Sequence, residues 1–218
     1  MSENLFYRTV TPLLLSTLKL LMTADIFNSF RLVGGTALSL QLGHRESVDI
    51  DLFTDADYGT IDFDSIDKFL RNQFPYFDTS GVEIVGIGRS YFVGNSELHA
   101  VKLDLFYSDP FIREIVRMDG IRFASIDDIV AMKIEVIGQG GRKKDFWDLH
   151  ELLDFYTIDQ MLQLHQERYP YNHNGAELLV NFTKFEQADN DFDPICLKGK
   201  FWELIKLDIM EALDKTII

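Results

Sequence analysis

The 218-residue chain is 46% hydrophobic and 13% aromatic, so it carries the apolar surface for a buried core and is not a disordered segment. Its net charge of −14 argues against a broad, nonspecific grip on nucleic acid, which draws on basic surface, while leaving room for an RNA held by a local basic patch. A single cysteine, Cys196, excludes an intrachain disulfide or a cysteine zinc site and favours a reduced, cytoplasmic setting, and no apolar run reaches the roughly 20 residues of a membrane helix.

In chain order, apolar positions at helical spacing predict a helix over 9–28. Its "TPLLLSTLKLLM" is interrupted by Lys19 and lacks the basic leader and cleavage site of a signal peptide. "FRLVGG" (30–35) predicts a short strand ending in glycines. "TALSLQLG" (36–43) predicts a short helix started by Thr36 and stopped by Gly43. "SVDIDLF" (47–53) alternates as a strand, and "FDSIDKFLRNQF" (63–74) reads as an amphipathic helix. Residues 82–123 turn β-rich: "VEIVGIG", "SYFVGN", "LHAVKLDLFY", "REIVRM" and "IRFAS" are separated by Gly, Asn-Ser and Asp-Gly, with "RMDGIR" a hairpin turn. From Ser125 onward the pattern is helical. "SIDDIVAMKIEVIG" has Ser125 as N-cap and Gly138 as a stop, "RKKDFWDLHELLDFY" follows, and further helices are predicted over 158–168, 174–186 and 199–216. The fold class is therefore α+β: a mixed-sheet core over 1–124 and a helical region over 125–218, with no linker between them to set them apart.

Three features carry chemistry. Asp49 and Asp51 are spaced i, i+2, so on a strand they share one face about 6–7 Å apart, with Val48, Ile50 and Leu52 on the other. Side-by-side carboxylates repel unless a cation lies between them, and hard oxygen donors suit Mg²⁺ or Mn²⁺. The plainer alternative is two solvated acids on an edge strand. In "VKLDLF", Asp104 stands on a strand otherwise built for burial. Beside 47–53 it completes a three-carboxylate cluster able to seat two metals about 4 Å apart and to take a proton from a hydroxyl; alternatively it pairs with Lys102 or a neighbouring arginine. Finally, Gly34–Gly35–Thr36 ends a strand and opens a helix, where backbone N–H groups and the Thr36 hydroxyl can receive an anion, unless Thr36 is simply an N-cap. Neither a G-x-x-x-x-G-K-[ST] phosphate loop nor a G-x-G-x-x-G fingerprint is present.

The order of these pieces, in "VGGTALSLQLGHRESVDIDLF", closely resembles the signature of the AbiEii/AbiGii-type toxin nucleotidyltransferases of the DNA polymerase β-like superfamily. The family pattern is a G-[GS]-[ST] turn, a short helix, an H-R-x-S-x-D-[IL]-D-[LF] run, a third strand acid, a D-x-x-x-x-K helix and a K-D-x-x-D-[LI] helix. All have counterparts between about residue 30 and 153. The resemblance implies a polymerase β-like core followed by a helical C-terminal region. It implies a phosphate-cradling turn at Gly34, Gly35 and Thr36, and metal-binding acids at Asp49 and Asp51, with Asp104 the third by strand context. Asp128 and Lys133 match D-x-x-x-x-K, and Asp145 the last motif. The implied reaction moves a nucleoside monophosphate from an NTP to the hydroxyl of an RNA, such as a tRNA 3′ end, or of a protein, in a toxin with a cognate antitoxin. A non-catalytic nucleotide-binding module and a small-molecule nucleotidyltransferase are the alternatives.

Read from the residues alone, Lys133 is either a charge for the β- and γ-phosphates or a lysine snorkelling to solvent. Asp145 either orients Lys133, binds a ribose or caps a helix. His44 and Arg45 are favoured as structural. Phe146, Trp147 and His150 are divided between a base pocket and the core, and Arg71, Arg89 and Arg142–Lys144 would have to supply any RNA-binding surface.

Overall fold

A computed structural model describes residues 4–79 and 86–216. Helix α1 (Pro12–Thr23) begins where the Thr11 hydroxyl accepts from the Leu14 N–H and Pro12 presets the first turn. The helix predicted over 9–28 stops early because Ala24 is extended, and a single 3₁₀ turn (Asp25–Phe27) follows. Strand β1 (Arg31–Leu32) is two residues long, and helix α2 (Gly34–Leu42) starts two residues sooner than predicted, so both glycines belong to the helix rather than the strand. Gly43 ends it in the left-handed region, as expected. Next come β2 (Asp49–Thr54), α3 (Phe63–Gln73), β3 (Tyr76–Thr79), β4 (Gly88–Ser96), β5 (His99–Tyr107), β6 (Val116–Met118) and β7 (Ile121–Phe123). The turn between β6 and β7 puts Asp119 and Gly120 at positive φ, the geometry of a two-residue hairpin. Of the predicted "VEIVGIG" run, residues 82–85 lie outside the described residues.

Helix α4 (Ile126–Gly138) is capped by the Ser125 hydroxyl, and it includes Gly138, with Gln139 as its C-cap. Then follow α5 (Lys143–Leu152), α6 (Ile158–Arg168), α7 (Gly175–Asn181), α8 (Glu186–Asp189) and α9 (Trp202–Asp214). The helix predicted over 174–186 is thus two helices. The chain turns where the Asn181 amide donates to the Gly138 carbonyl at the end of α4.

The seven strands form one mixed sheet in the order β3-β4-β5-β2-β1-β7-β6. β2 runs parallel to β5, and β1 parallel to β7; the other neighbours are antiparallel. One sheet face is buried: Ile50, Leu52, Tyr91, Val93, Leu103 and Leu105 join Leu14, Leu18 and Leu21 of α1 and Ile66 and Leu70 of α3 in a single apolar cluster. That cluster continues through Ile129, Ile134, Phe146, Trp147 and Leu149, so the core is unbroken across residue 124. Residues 195–197 lie along 44–46, through an antiparallel bridge between Arg45 and Cys196 and hydrogen bonds of 2.9 Å from Glu46 N to Ile195 O and from Leu197 N to His44 O.

Candidate active site

Strand alternation sends Asp49 and Asp51 to the face opposite Ile50 and Leu52. The parallel register with β5 then pairs Asp49 with Lys102 and Asp51 with Asp104. The three acids predicted from separate stretches are therefore neighbours on one sheet face. Burial, followed by the charges of Asp104 and Asp49, pushes the Asp51 carboxyl up to about 6. Asp104 is not left to its fellow acids: Lys102 Nζ lies 2.6 Å from its Oδ2, the pairing foreseen as the alternative. Its other oxygen, Oδ1, is buried with no hydrogen-bond partner among the described residues. Burial would lower the Lys102 ammonium, but Asp104 outweighs it and holds it above the usual value.

Beside this row stands the first turn of α2. Gly34 has φ +69°, and a Cβ there would lie 2.5 Å from Asp51 Oδ2. Only glycine lets the backbone pass so close to the carboxylate. No side chain caps α2 among the described residues, so its first N–H groups remain for an anion. The Thr36 hydroxyl is committed elsewhere. Thr36 is buried, donates to the Asp49 carbonyl and lies 2.8 Å from the Ser47 hydroxyl, so its side chain braces α2 against β2 rather than lining the cleft.

A cleft of about 390 Å³ opens between these elements and α4 and α5. Gly34, Gly35, Asp49, Asp51, Lys133 and Asp145 line it, with Phe53, Met132 and Val136 as an apolar wall; Asp104 borders it without lining it. Lys133 does not snorkel. Its Nζ is buried 2.7 Å from Asp145 Oδ1 and 2.7 Å from Asp148 Oδ2. Burial would lower its ammonium, and the two carboxylates more than offset this. Asp145 also accepts the Arg142 N–H, capping α5, so it both orients Lys133 and starts the helix.

Asp148 is the hub that the sequence reading passed over. Fully buried, it accepts from Arg45 at 2.6 and 2.8 Å, from Lys133, and meets His44 Nε2 at 2.7 Å. Its own burial works against ionisation, but Arg45 and Lys133 hold the carboxyl well below the usual range. The structural roles favoured for His44 and Arg45 are the ones found, although Arg45 also reaches the cleft against Gly35. Lys144, read from the sequence as part of a basic surface, has a more specific place. It lines the cleft 3.8 Å from Asp49 Oδ2, and burial beside Arg142 lowers its ammonium. Both residues had a signal, since they are the first and last positions of K-D-x-x-D.

Other candidates fall outside the cleft. Asp128 is buried, bound by Arg168 at 3.0 Å and by the Ser125 hydroxyl and Ile112 N–H. Phe146 and Trp147 pack with Phe185 and Trp202 in the core, and His150 sits between Asp208 and Lys200, so none of the three lines a base pocket there. Of the proposed basic surface, Arg89 is taken by Asp64 and Asp67, Lys143 by Asp193, and Arg71 lies over the Phe77 ring.

The comparisons agree with this architecture. The family model for the nucleotidyl transferase AbiEii toxin, type IV toxin–antitoxin system, matches residues 17–214. An uncharacterized protein of Aquifex aeolicus (strain VF5) is 35% identical over 205 residues, covering 87% of this chain and 88% of that one. JHP933 from Helicobacter pylori has a similar fold (TM-score 0.58, 18% identity, 92% of this chain and 89% of that chain). So does MenT4, nucleotidyltransferase toxin Rv2826c from Mycobacterium tuberculosis H37Rv (TM-score 0.56, 13% identity, 89% and 82%). Among the described residues, no helix is long and apolar enough to cross a membrane. With its mixed sheet, its acids in register and its glycine turn, the chain belongs to the AbiEii nucleotidyltransferase toxin family.

Proposed function

We propose that the chain transfers a nucleoside monophosphate from a nucleoside triphosphate to an acceptor hydroxyl, on an RNA such as a tRNA 3′ end or on a protein, and releases pyrophosphate. The observation that carries this reading is the row Asp49, Asp51 and Asp104 on one sheet face, set against the uncapped start of α2. The family's place in type IV toxin–antitoxin systems supports a role as the toxin of such a pair, with a cognate antitoxin.

The donor set fits Mg²⁺ or Mn²⁺. It offers carboxylate oxygens alone, Asp51 is pushed up by burial and then by its acidic neighbours, and Asp104 Oδ1 is buried without a partner among the described residues. Asp49, Asp51 and Asp104 would hold the cation, whose charge offsets that of the triphosphate and of the developing pyrophosphate. The N–H groups of Gly34, Gly35 and Thr36 cradle phosphate oxygens at the positive end of α2. Lys144, beside Asp49, and the exposed Arg142 add positive charge at the cleft mouth. Lys133, locked by Asp145 and Asp148, supplies a fixed charge in the wall, where a preorganised group costs no rearrangement during reaction. Asp104 Oδ accepts the proton of the attacking hydroxyl.

The test incubates the chain with each labelled NTP and Mg²⁺, against total tRNA, protein and small-molecule acceptors. Label should move to one acceptor class, and Asp49→Ala and Asp51→Ala should each abolish it while the fold persists. Tight NTP binding with no transfer to any acceptor would identify a binding module instead, and equal labelling by wild type and both variants would overturn the mechanism.

A further inference from the structure

We infer that Lys102 is a built-in competitor for the cation seat: its ammonium holds Asp104, and it must leave before Asp104 can join Asp49 and Asp51 around a divalent ion. The inference rests on the proposed nucleotidyltransferase reading and adds a residue that the reading does not use. Lys102 and Asp104 are i, i+2 on β5, so their side chains leave the same face about 6–7 Å apart at the backbone, a span that a four-carbon stem bridges easily. Nζ lies 2.6 Å from Oδ2, while Oδ1 stays buried without a partner among the described residues. One oxygen is thus bound to the lysine and the other, already dehydrated, has nothing. Among the described residues, no three acidic, histidine or cysteine groups form a ready cation cage.

Lys144 also stands at these acids, but its situation differs. It stands 3.8 Å from Asp49 and lines the cleft with Arg142, where the phosphates of a nucleotide would lie. Lys102 does not line the cleft; on β5 it lies in register with Asp49 of β2 on one side and Phe92 of β4 on the other. Its side chain is 38% exposed, so releasing Asp104 returns the ammonium to water at small cost.

The test is a Mn²⁺ titration of the nucleotide-free chain, read by the electron paramagnetic resonance signal of free Mn²⁺. Lys102→Met should bind Mn²⁺ roughly three- to fivefold more tightly than wild type, the scale of a part-exposed ion pair removed. Lys102→Arg, which keeps the charge, should stay within about twofold of wild type, and in an Asp104→Asn background Lys102→Met should change affinity by less than about twofold. Unaltered affinity in Lys102→Met, or a gain that persists undiminished in the Asp104→Asn background, overturns the competition; loss of Mn²⁺ binding in Asp51→Asn in the same series leaves the cation seat itself standing. Mn²⁺ binding that neither Asp51→Asn nor Asp104→Asn weakens overturns the seat and the competition together. Matched thermal unfolding of wild type and both Lys102 variants establishes that the comparison is between folded proteins.

Discussion

Arg45 grips Asp148 with two parallel hydrogen bonds, Nε to Oδ1 at 2.6 Å and Nη2 to Oδ2 at 2.8 Å, across a pair buried to 3% and 0% exposure. The same carboxylate holds Lys133 and His44, so one acid organises the wall of the cleft and ties the loop before β2 to α5. A buried carboxylate with three such partners fixes geometry more than it adds net stability.

Replacing Asp148 leaves Arg45 and Lys133 buried with their shared partner gone. Asp148→Asn should lower unfolding free energy by about 3–5 kcal/mol. Urea unfolding followed by tryptophan fluorescence reads this directly, because Trp147 and Trp202 stack in the core beside α5. A loss under about 1 kcal/mol would mean that the hub is a bystander.

Acid should reproduce part of that loss. Arg45 and Lys133 hold Asp148 well below its ordinary value despite its burial, so the folded state binds its proton later than the unfolded chain does. The sign follows: the contribution is full above the unfolded value of about 4 and is withdrawn as pH falls toward the folded one. Midpoints of thermal unfolding for wild type and Asp148→Asn should differ by a constant amount between pH 5 and 7 and converge below about pH 4. Parallel curves down to pH 2 would contradict the assignment.

Asp51 is strained in the opposite sense, being raised to about 6 by burial and by Asp104 and Asp49. Asp51→Asn removes a buried like charge, so thermal stability should hold or rise by up to about 1 kcal/mol while transfer falls by at least about a hundredfold. A variant that is stable and fully active would separate this acid from the chemistry.

Gly34 tests the close approach. An alanine there must adopt φ +69° and set its Cβ against Asp51 Oδ2. Gly34→Ala should cost about 1–2 kcal/mol and, by displacing the carboxylate, at least about tenfold in transfer. Unchanged activity would show that the first turn of α2 has slack.

The two cleft lysines should behave differently. Lys133→Met strips a partner from both Asp145 and Asp148 and should lower stability by about 2–4 kcal/mol as well as activity. Lys144 is about a third exposed and only 3.8 Å from Asp49, so Lys144→Met should leave stability within about 0.5 kcal/mol and raise the NTP KM several-fold. Equal losses of stability in the two variants would remove the distinction.

Local pattern made much of this legible. Alternation exposed Asp49 and Asp51, the Ser125 cap and the Asp-Gly turn marked their elements, and the α+β class followed. What local pattern does not contain is pairing at a distance. The Asp51–Asp104 register depends on a parallel contact between strands separated by α3, β3 and β4, so Asp104 was placed only by strand context. The Arg45–Asp148 clamp joins residues that lie over a hundred positions apart, hence its absence from the reading although the K-D-x-x-D motif held it. Thr36 looked like a phosphate donor because spacing does not say which way a hydroxyl turns, and Phe146 and Trp147 were ambiguous because core and pocket share one helical period. Strand β3 was missed because "YFDT" is short and its partner β4 supplies its order.

The short antiparallel tie of 195–197 along 44–46 has a consequence in time. Synthesis releases the chain from its N-terminus, so the acids of β2 emerge well before α5 and long before residue 196. Until then Arg45 has neither Asp148 to grip nor Cys196 beside its backbone, and the wall of the cleft has nothing to stand on. A nascent chain therefore carries the acids well before it carries the partners that fix the wall beside them.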